Sequence, residues 1–125
     1  MEARTILTRR LHNGLELECL DQSKQIAADR WYICVGVRIT VPVEKKWFDK
    51  ASLDENKFRS IRNILGEAVL FEQKKERNFV SVQQKDQIIK EICDGIVDTA
   101  LTYLGRDNFP AKLILKRYAE ALRAY

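Results

Sequence analysis

The sequence predicts an α+β fold in which an antiparallel sheet of three to five strands packs against two or three helices. Strand-like alternation of apolar and polar residues fills roughly residues 3 to 41, beginning with an N-terminal meander. Apolar residues at helical spacing then run from Ile88 to Leu104, and a second C-terminal helix follows. A sheet of consecutive hairpins has an apolar face that must be covered, and these helices are the segments able to cover it.

The meander is predicted from three strands and their turns. Residues 3 to 11 alternate as a first strand, and His12-Asn13-Gly14 supplies the residues that a tight hairpin requires. The second strand follows at once and places three apolar residues on one face: Leu15, Leu17 and Cys19. The third strand has the clearest alternation of the chain, with one face formed by Trp31, Ile33, Val35, Val37, Ile39 and Val41. Pro42 marks where its ladder should stop.

A short helix and an ambiguous segment follow the meander. Ser52-x-x-Glu55 has the form of a capping box, so a helix is expected from there to a position near Gly66. Residues 67 to 74 either extend as a fourth strand or prolong this helix, and the strand is favoured.

Two helices are expected in the C-terminal part. Ser81-x-x-Gln84 is a second possible capping box. The helix after it has one continuous apolar face, formed by Ile88, Ile89, Ile92, Ile96, Val97, Ala100, Leu101 and Leu104. Gly105 is placed to end that helix, and Asn108-Phe109-Pro110 begins the next. The apolar side of the last helix carries Ile114, Tyr118, Ala121, Leu122 and Tyr125.

Length and composition predict one cytoplasmic domain covering residues 1–125. A chain of this size buries about two thirds of its unfolded surface in one core. No apolar run approaches the roughly 20 residues of a membrane-spanning helix, so no membrane partner is expected. The N-terminal residues also lack the apolar segment and cleavage site of a secretory signal.

Neither a catalytic site nor a metal site is predicted. Cys19, Cys34 and Cys93 form no Cys-x-x-Cys pair, and strand parity puts the first two on opposite faces, so a bridge between them is not expected. The single histidine, His12, lies in a predicted turn, away from any recognisable nucleophile. The five glycines are isolated, so no phosphate loop is present. These patterns favour a protein that is not an enzyme and needs no cofactor.

The basic balance of the chain suggests nucleic acid or another polyanion as an alternative ligand. The net charge is +4 and the sequence pI is near 9.0. Most cations are interspersed with acids, which is typical of a solvated surface. The last helix differs, because Glu120 is the one acid among its four cations: Lys112, Lys116, Arg117 and Arg123. Lys116 and Arg117 are the candidate binding residues there.

The polar connection from Asp21 to Trp31 is a further candidate site, with four candidate binding residues: Asp21, Ser23, Asp29 and Arg30. Asp21-Gln22-Ser23 resembles the second motif of PilZ domains, which bind a cyclic dinucleotide through Arg-x-x-x-Arg followed by Asp-x-Ser-x-x-Gly. Ile26 stands at the glycine position, and Arg4 and Arg9 are five residues apart instead of four, so this small-ligand hypothesis is disfavoured. The simpler expectation is a turn in which Asp21 and Ser23 bond their own backbone, with Arg30 paired to Asp29 or Asp21.

Taken together, scattered motifs resemble a family of small bacterial proteins of unknown function. They are Asn13-Gly14-Leu15, Asp21-x-Ser23, Asp29-Arg30-Trp31, Glu76-Arg77-Asn78-Phe79 and Phe109-Pro110 followed by Leu113, Leu115, Lys116 and Tyr118. The resemblance implies one bacterial domain and transfers no mechanism. The leading functional expectation is a non-enzymatic interaction module that binds a protein partner or a second copy of itself. It rests on apolar helix positions, such as Leu115 and Tyr125, in excess of what one sheet face can cover.

Overall fold

The computed structural model describes residues 4–48 and 53–124 and confirms the α+β class. A five-stranded antiparallel sheet is accompanied by three α-helices. The strands are β1 (Arg4–Arg10), β2 (Glu16–Asp21), β3 (Lys24–Ala27), β4 (Arg30–Pro42) and β5 (Ala68–Ser81). The helices are α1 (Glu55–Leu65), α2 (Lys85–Thr99) and α3 (Phe109–Arg123), with a 3-10 turn at Lys45–Trp47 and a π-helical segment at Ala100–Leu104.

The sheet is organised around β4, which pairs along one edge with β2 and β3 and along the other with β5. β1 lies outside β2. Strand β3 corrects the sequence prediction, which treated residues 21 to 29 as a connection. Asp21 faces Val35 and Lys24 faces Tyr32, so pairing with β4 resumes in the same register after two residues. β2 and β3 therefore follow one line along β4.

Ser23 bridges the interruption between β2 and β3. Its side-chain oxygen accepts a hydrogen bond from the Cys34 backbone N–H at 3.0 Å, while the Gln22 N–H donates to the Cys34 carbonyl at 2.8 Å. The Asp21 carboxylate accepts from the Ser23 N–H at 2.9 Å, which confirms the expected local turn at Asp21. The buried Ser23 hydroxyl thus takes the place of a backbone acceptor. Pairing with β4 can therefore continue through a polar segment whose sequence does not have the pattern of a strand.

The core lies between one face of the sheet and the helices. Alternate residues of β4 from Ile33 to Val41 are buried on this face, as predicted, and Trp31 at its start is half-buried. α2 packs mainly against β4, and α1 packs against α3. The helix positions that complete the core are Phe58, Ile61, Ile92, Cys93, Ile96, Ala100, Leu104, Phe109, Leu113 and Ile114.

Two helix starts differ from the sequence prediction. The side chain of Asp54 caps α1 by accepting from the Lys57 N–H at 2.7 Å, and the predicted cap, Ser52, lies outside the described residues. The second capping box is wrong, because Ser81 is the last residue of β5 and Gln84 precedes α2 without a side-chain cap bond. The favoured strand over residues 67 to 74 is confirmed, and β5 continues well beyond it.

The end of α2 widens into the π-helical segment, which changes the direction of the side chains that follow. Leu101 is 54% exposed, so the predicted continuous apolar face is wrong at this position. In α3, Ile114 is buried but Leu122 is 48% exposed, and Tyr125 lies outside the described residues. Among residues 4–48 and 53–124, no helix combines the length and apolarity that a bilayer crossing requires.

Asn13 joins the β1–β2 turn to the linker between α2 and α3. Its amide nitrogen donates to the Leu104 carbonyl at 2.9 Å and to the Arg106 carbonyl at 3.0 Å, and its oxygen accepts from the Leu15 N–H at 3.1 Å. Gly14 completes the turn with a φ of 90°. The first hairpin therefore positions the linker that leads into α3.

Two buried thiols meet between the sheet and α2. The sulfur atoms of Cys19 and Cys93 are 3.3 Å apart, whereas Cys34 lies on the opposite face of the sheet beside Gln22. Burial, followed by the hydrogen bond with Cys93, raises the pKa of Cys19 from 9.0 to about 12. Cys19 is thus a protonated core residue and a poor nucleophile at neutral pH.

Replacing Asn13 with alanine should lower the free energy of unfolding by about 1–3 kcal/mol, because two linker carbonyls lose their side-chain donor. Urea denaturation monitored by circular dichroism measures the change. His12→Ala, at the exposed neighbouring position, is the matched control and should stay within about 0.5 kcal/mol of the native protein. Equal losses from both substitutions would contradict the role assigned to Asn13.

The Ser23→Ala variant should also lose about 1–3 kcal/mol, because the buried Cys34 N–H is left without its acceptor. Ser60→Ala removes a hydroxyl from the exposed surface of α1 and should have little effect. Hydrogen exchange at the Cys34 amide gives an independent measurement. Unchanged protection of this amide in Ser23→Ala would show that the hydroxyl does not stabilise the strand.

The raised pKa of Cys19 predicts a specific loss of stability in alkali. The stability that the protonated Cys19 thiol contributes to the folded protein is complete below the ordinary thiol pKa of 9.0. It is lost as the pH rises toward about 12, because Cys19 releases its proton at a lower pH in the unfolded chain than in the folded protein. The free energy of unfolding should therefore fall less steeply above pH 9 in Cys19→Ala than in the native protein. Parallel pH profiles for the two proteins would contradict this assignment.

Candidate functional site

Part of the helix-side face of β5 is left uncovered. Phe71, Gln73, Lys75 and Arg77 alternate along this strand, and they pair with β4 residues whose side chains enter the core. The four therefore share the face on which the helices lie. Because α2 packs mainly against β4 and only slightly against β5, this row lies beside the helix and not beneath it.

Three depressions follow this row in succession, and together they form what we call the β5 groove. The first, of about 380 Å³, is lined by Lys75, Arg77, Ile88, Glu91, Ile92 and Gly95. The second, of about 70 Å³, is lined by Gln73, Lys75, Ile96, Thr99 and Leu104. The third, of about 170 Å³, is lined by Phe71, Tyr103, Arg106, Asn108, Phe109, Lys112, Leu113 and Lys116. Lys75 lines both the first and the second, so these two are adjacent.

The lining of the β5 groove is strongly basic. Among the described residues it contains five cations, which are Lys75, Arg77, Arg106, Lys112 and Lys116, and one acid, Glu91. Glu91 lies at the end of the groove nearest Arg77, so the third depression contains cations without an opposing carboxylate. A line of positive groups along a recess attracts an extended anion more strongly than the same charges scattered over a convex surface.

Arg106 and Tyr103 form the outer wall of the third depression. The Arg106 Nε donates to the Thr102 carbonyl at 3.1 Å, and its guanidinium lies 5.4 Å from the centre of the Tyr103 ring. These contacts hold the charge beside an aromatic ring that is 57% exposed. Lys112 and Lys116 are one helical turn apart, so both extend from the same side of α3 toward this ring.

The floor of the third depression is aromatic. The rings of Phe71 and Phe109 meet edge to face, with centroids 5.5 Å apart. Phe109 is buried at the start of α3, whereas Phe71 is half-buried and contributes to the open part of the groove. Cationic side chains above an aromatic floor suit a ligand that has both negative charge and flat rings.

The sequence prediction identified only part of this site. Lys116 lies in the groove together with Lys112, whereas Arg117 is half-buried and does not line it. Lys75, Arg77 and Arg106 were missed as binding residues. Their signal was the change along one parity of β5 from apolar Val69 and Phe71 to polar Gln73, Lys75 and Arg77, which indicates that the helices leave this part of the strand uncovered.

The structure does not bring the four candidates of the Asp21–Trp31 connection together. Asp21 and Ser23 lie where β2 meets β3, and their polar atoms bond to Arg4, to the local backbone and to β4. Asp29 and Arg30 lie beyond the other end of β3, where they form the predicted ion pair at 3.8 Å. About four residues of strand, or roughly 13 Å, separate the two pairs.

Comparisons with known proteins add no further identification: no protein-family model, no curated protein and no solved structure matches this chain. The resemblance to a small bacterial family therefore stays a prediction. Within the described part of the chain, no three His, Cys, Asp or Glu side chains are grouped so that they could hold a metal ion.

Proposed function

We propose that this protein is a non-enzymatic binding module and that the β5 groove holds single-stranded nucleic acid. The observation that carries the proposal is the alignment of five cations and one exposed aromatic ring along the three successive depressions of the β5 groove. Backbone phosphates would bind the cations, and a base would stack on Tyr103. As part of the same proposal, the protein acts in the bacterial cytoplasm.

The dimensions of the groove support a short segment of an extended strand. From Phe71 to Arg77 the strand rises through six residues, or about 20 Å. This length is comparable to the smallest sites that bind single strands, which hold about four nucleotides. The end near Arg77 contributes charge and apolar walls, and the end near Arg106 contributes charge and aromatic rings.

Specific features of the groove favour nucleic acid over the other ligands that the sequence suggested. A polyanion without bases would use the lysines and arginines but would gain nothing from Tyr103 or Phe71. A protein partner bound mainly through apolar surface would have to cover the polar row from Gln73 to Arg77. The Asp21–Trp31 connection presents no converging set of free polar groups.

The main test reverses two charges at one end of the groove. Lys75→Glu combined with Arg77→Glu should weaken binding of a fluorescein-labelled oligothymidylate by about tenfold or more at low salt, because two attractions to phosphate become repulsions. The slope of log affinity against log salt concentration should also decrease by about one for each phosphate that the variant no longer neutralises. Fluorescence anisotropy measures both quantities.

A matched control reverses two charges elsewhere. Lys57→Glu combined with Arg59→Glu makes the same change in net charge on exposed positions of α1 that line none of the three depressions. It should leave most of the affinity intact. Equal weakening by both pairs would show that binding follows net charge alone, and absence of any binding by the native protein would refute the proposal.

A second comparison separates nucleic acid from other polyanions. Tyr103→Ala should weaken oligothymidylate binding several-fold, because a stacked base loses its aromatic partner. The same substitution should not affect binding of inorganic polyphosphate. If polyphosphate binds the native protein more tightly than the oligonucleotide and Tyr103→Ala changes neither affinity, the ligand is a polyanion without bases.

A further inference from the structure

The outer edge of β5 is free to pair. Within the described residues this strand hydrogen-bonds to β4 alone, so its other edge presents unpaired backbone N–H and C=O groups. Edges of this kind are templates for another strand, and many proteins protect them with lysine residues or with β-bulges. β5 has both features, and their positions decide what can pair with it.

The bulge lies near one end of the strand. Asn78 and Phe79 together oppose Tyr32 of β4, and Phe79 has a φ of 55° with 74% of its surface exposed. A bulge interrupts the ladder, so regular pairing on the outer edge stops at Arg77. The regular part of the edge therefore begins at Ala68, the first residue of β5, and ends at Arg77.

Symmetry limits how a second copy can pair with this edge. If the two sheets join with their helices on the same side, the two-fold axis is perpendicular to the sheet, and residues on the same face stand opposite each other. The axis must then pass midway between one residue and its own copy, which face each other. Each choice of this central residue gives one register.

Most registers bring like charges together. Centres on Glu72, Lys74, Lys75, Glu76 or Arg77 place that charged residue opposite itself. The centre on Lys74 also places Glu72 opposite Glu76, and the centre on Glu76 places Lys75 opposite Arg77. Like charges directly opposite each other destabilise a strand pair.

The register centred on Gln73 is free of such conflict, and it pairs more of the regular edge than the centres on Val69, Leu70 or Phe71, which also avoid like charges. The central residue is neutral, and Glu72 of each copy faces Lys74 of the other, which gives two ion pairs across the axis. The overlap runs from Val69 to Arg77, so it ends where the bulge begins. Charge, symmetry and the position of the bulge therefore favour the same register.

We propose that a second copy of this chain pairs with β5 in the register centred on Gln73, so that the two sheets become continuous. Lysines on an exposed edge repel most other strands. In this register each Lys74 faces Glu72 of the other copy, so the charges favour pairing with an identical strand. Glu72 and Lys74 lie on the face opposite the β5 groove, since they pair with Arg38 and Gly36 of β4. The inference does not depend on nucleic-acid binding, and the two can be tested separately.

A charge swap tests the register. Sedimentation velocity at low salt should show a dimer of the native protein at micromolar concentrations. Lys74→Glu places Glu72 of one copy opposite a glutamate of the other and should raise the dissociation constant at least tenfold. Adding Glu72→Lys restores opposite charges and should return the constant to within about threefold of the native value. Lys24→Glu, on the same sheet face but away from this edge, should have no effect.

A cross-link gives a measurement that does not depend on these charges. Gln73→Cys places two thiols face to face at the axis, and mild oxidation should join the copies; Glu67→Cys, one residue before β5, should not cross-link. A native protein that is monomeric throughout the micromolar range would overturn the proposal. So would a swap variant that fails to recover while circular dichroism shows that it is folded.

Discussion

The structure depends on β4 being paired along both edges while one of its faces is buried. Thirteen residues of this strand hold β2 and β3 on one side and β5 on the other, and their alternation places an unbroken apolar row under the helices. Displacement of any neighbouring strand by one residue would turn its apolar side chains to the solvent. The register of the whole sheet is therefore set by this strand.

The position of α2 follows from the same constraint. The most apolar surface available to this helix is the row of β4 from Ile33 to Val41, and α2 lies over it. β5, the next strand, is thus buried near its two ends, at Val69 and Val80, and is uncovered on this face from Gln73 to Arg77. The remaining part of its helix-side face is free to carry charge. Stability and the candidate binding site are linked in this way, because the strand that completes the sheet also forms the floor of the groove.

Much of the fold was predictable because its signals are local and periodic. The alternation around Val35 and Val37 and the proline at the start of α3 each depend on a few neighbouring residues. The errors arose where a side chain replaced a backbone partner, as at Ser23, or where the helix changed its own period, as at Leu101. The candidate site was only partly predictable. Lys116 was visible in a basic helix, but its proximity to Arg106 and Phe71 depends on the packing of distant elements.

Nuclear magnetic resonance can show whether the uncovered row of β5 is the binding surface. Titration of the isotope-labelled protein with oligothymidylate should shift the amide signals of residues 71 to 77, the linker around Arg106 and the first turns of α3. Signals from β1 and β3 should remain in place. Shifts centred on the Asp21–Trp31 connection, or an absence of shifts at saturating oligonucleotide, would contradict the account.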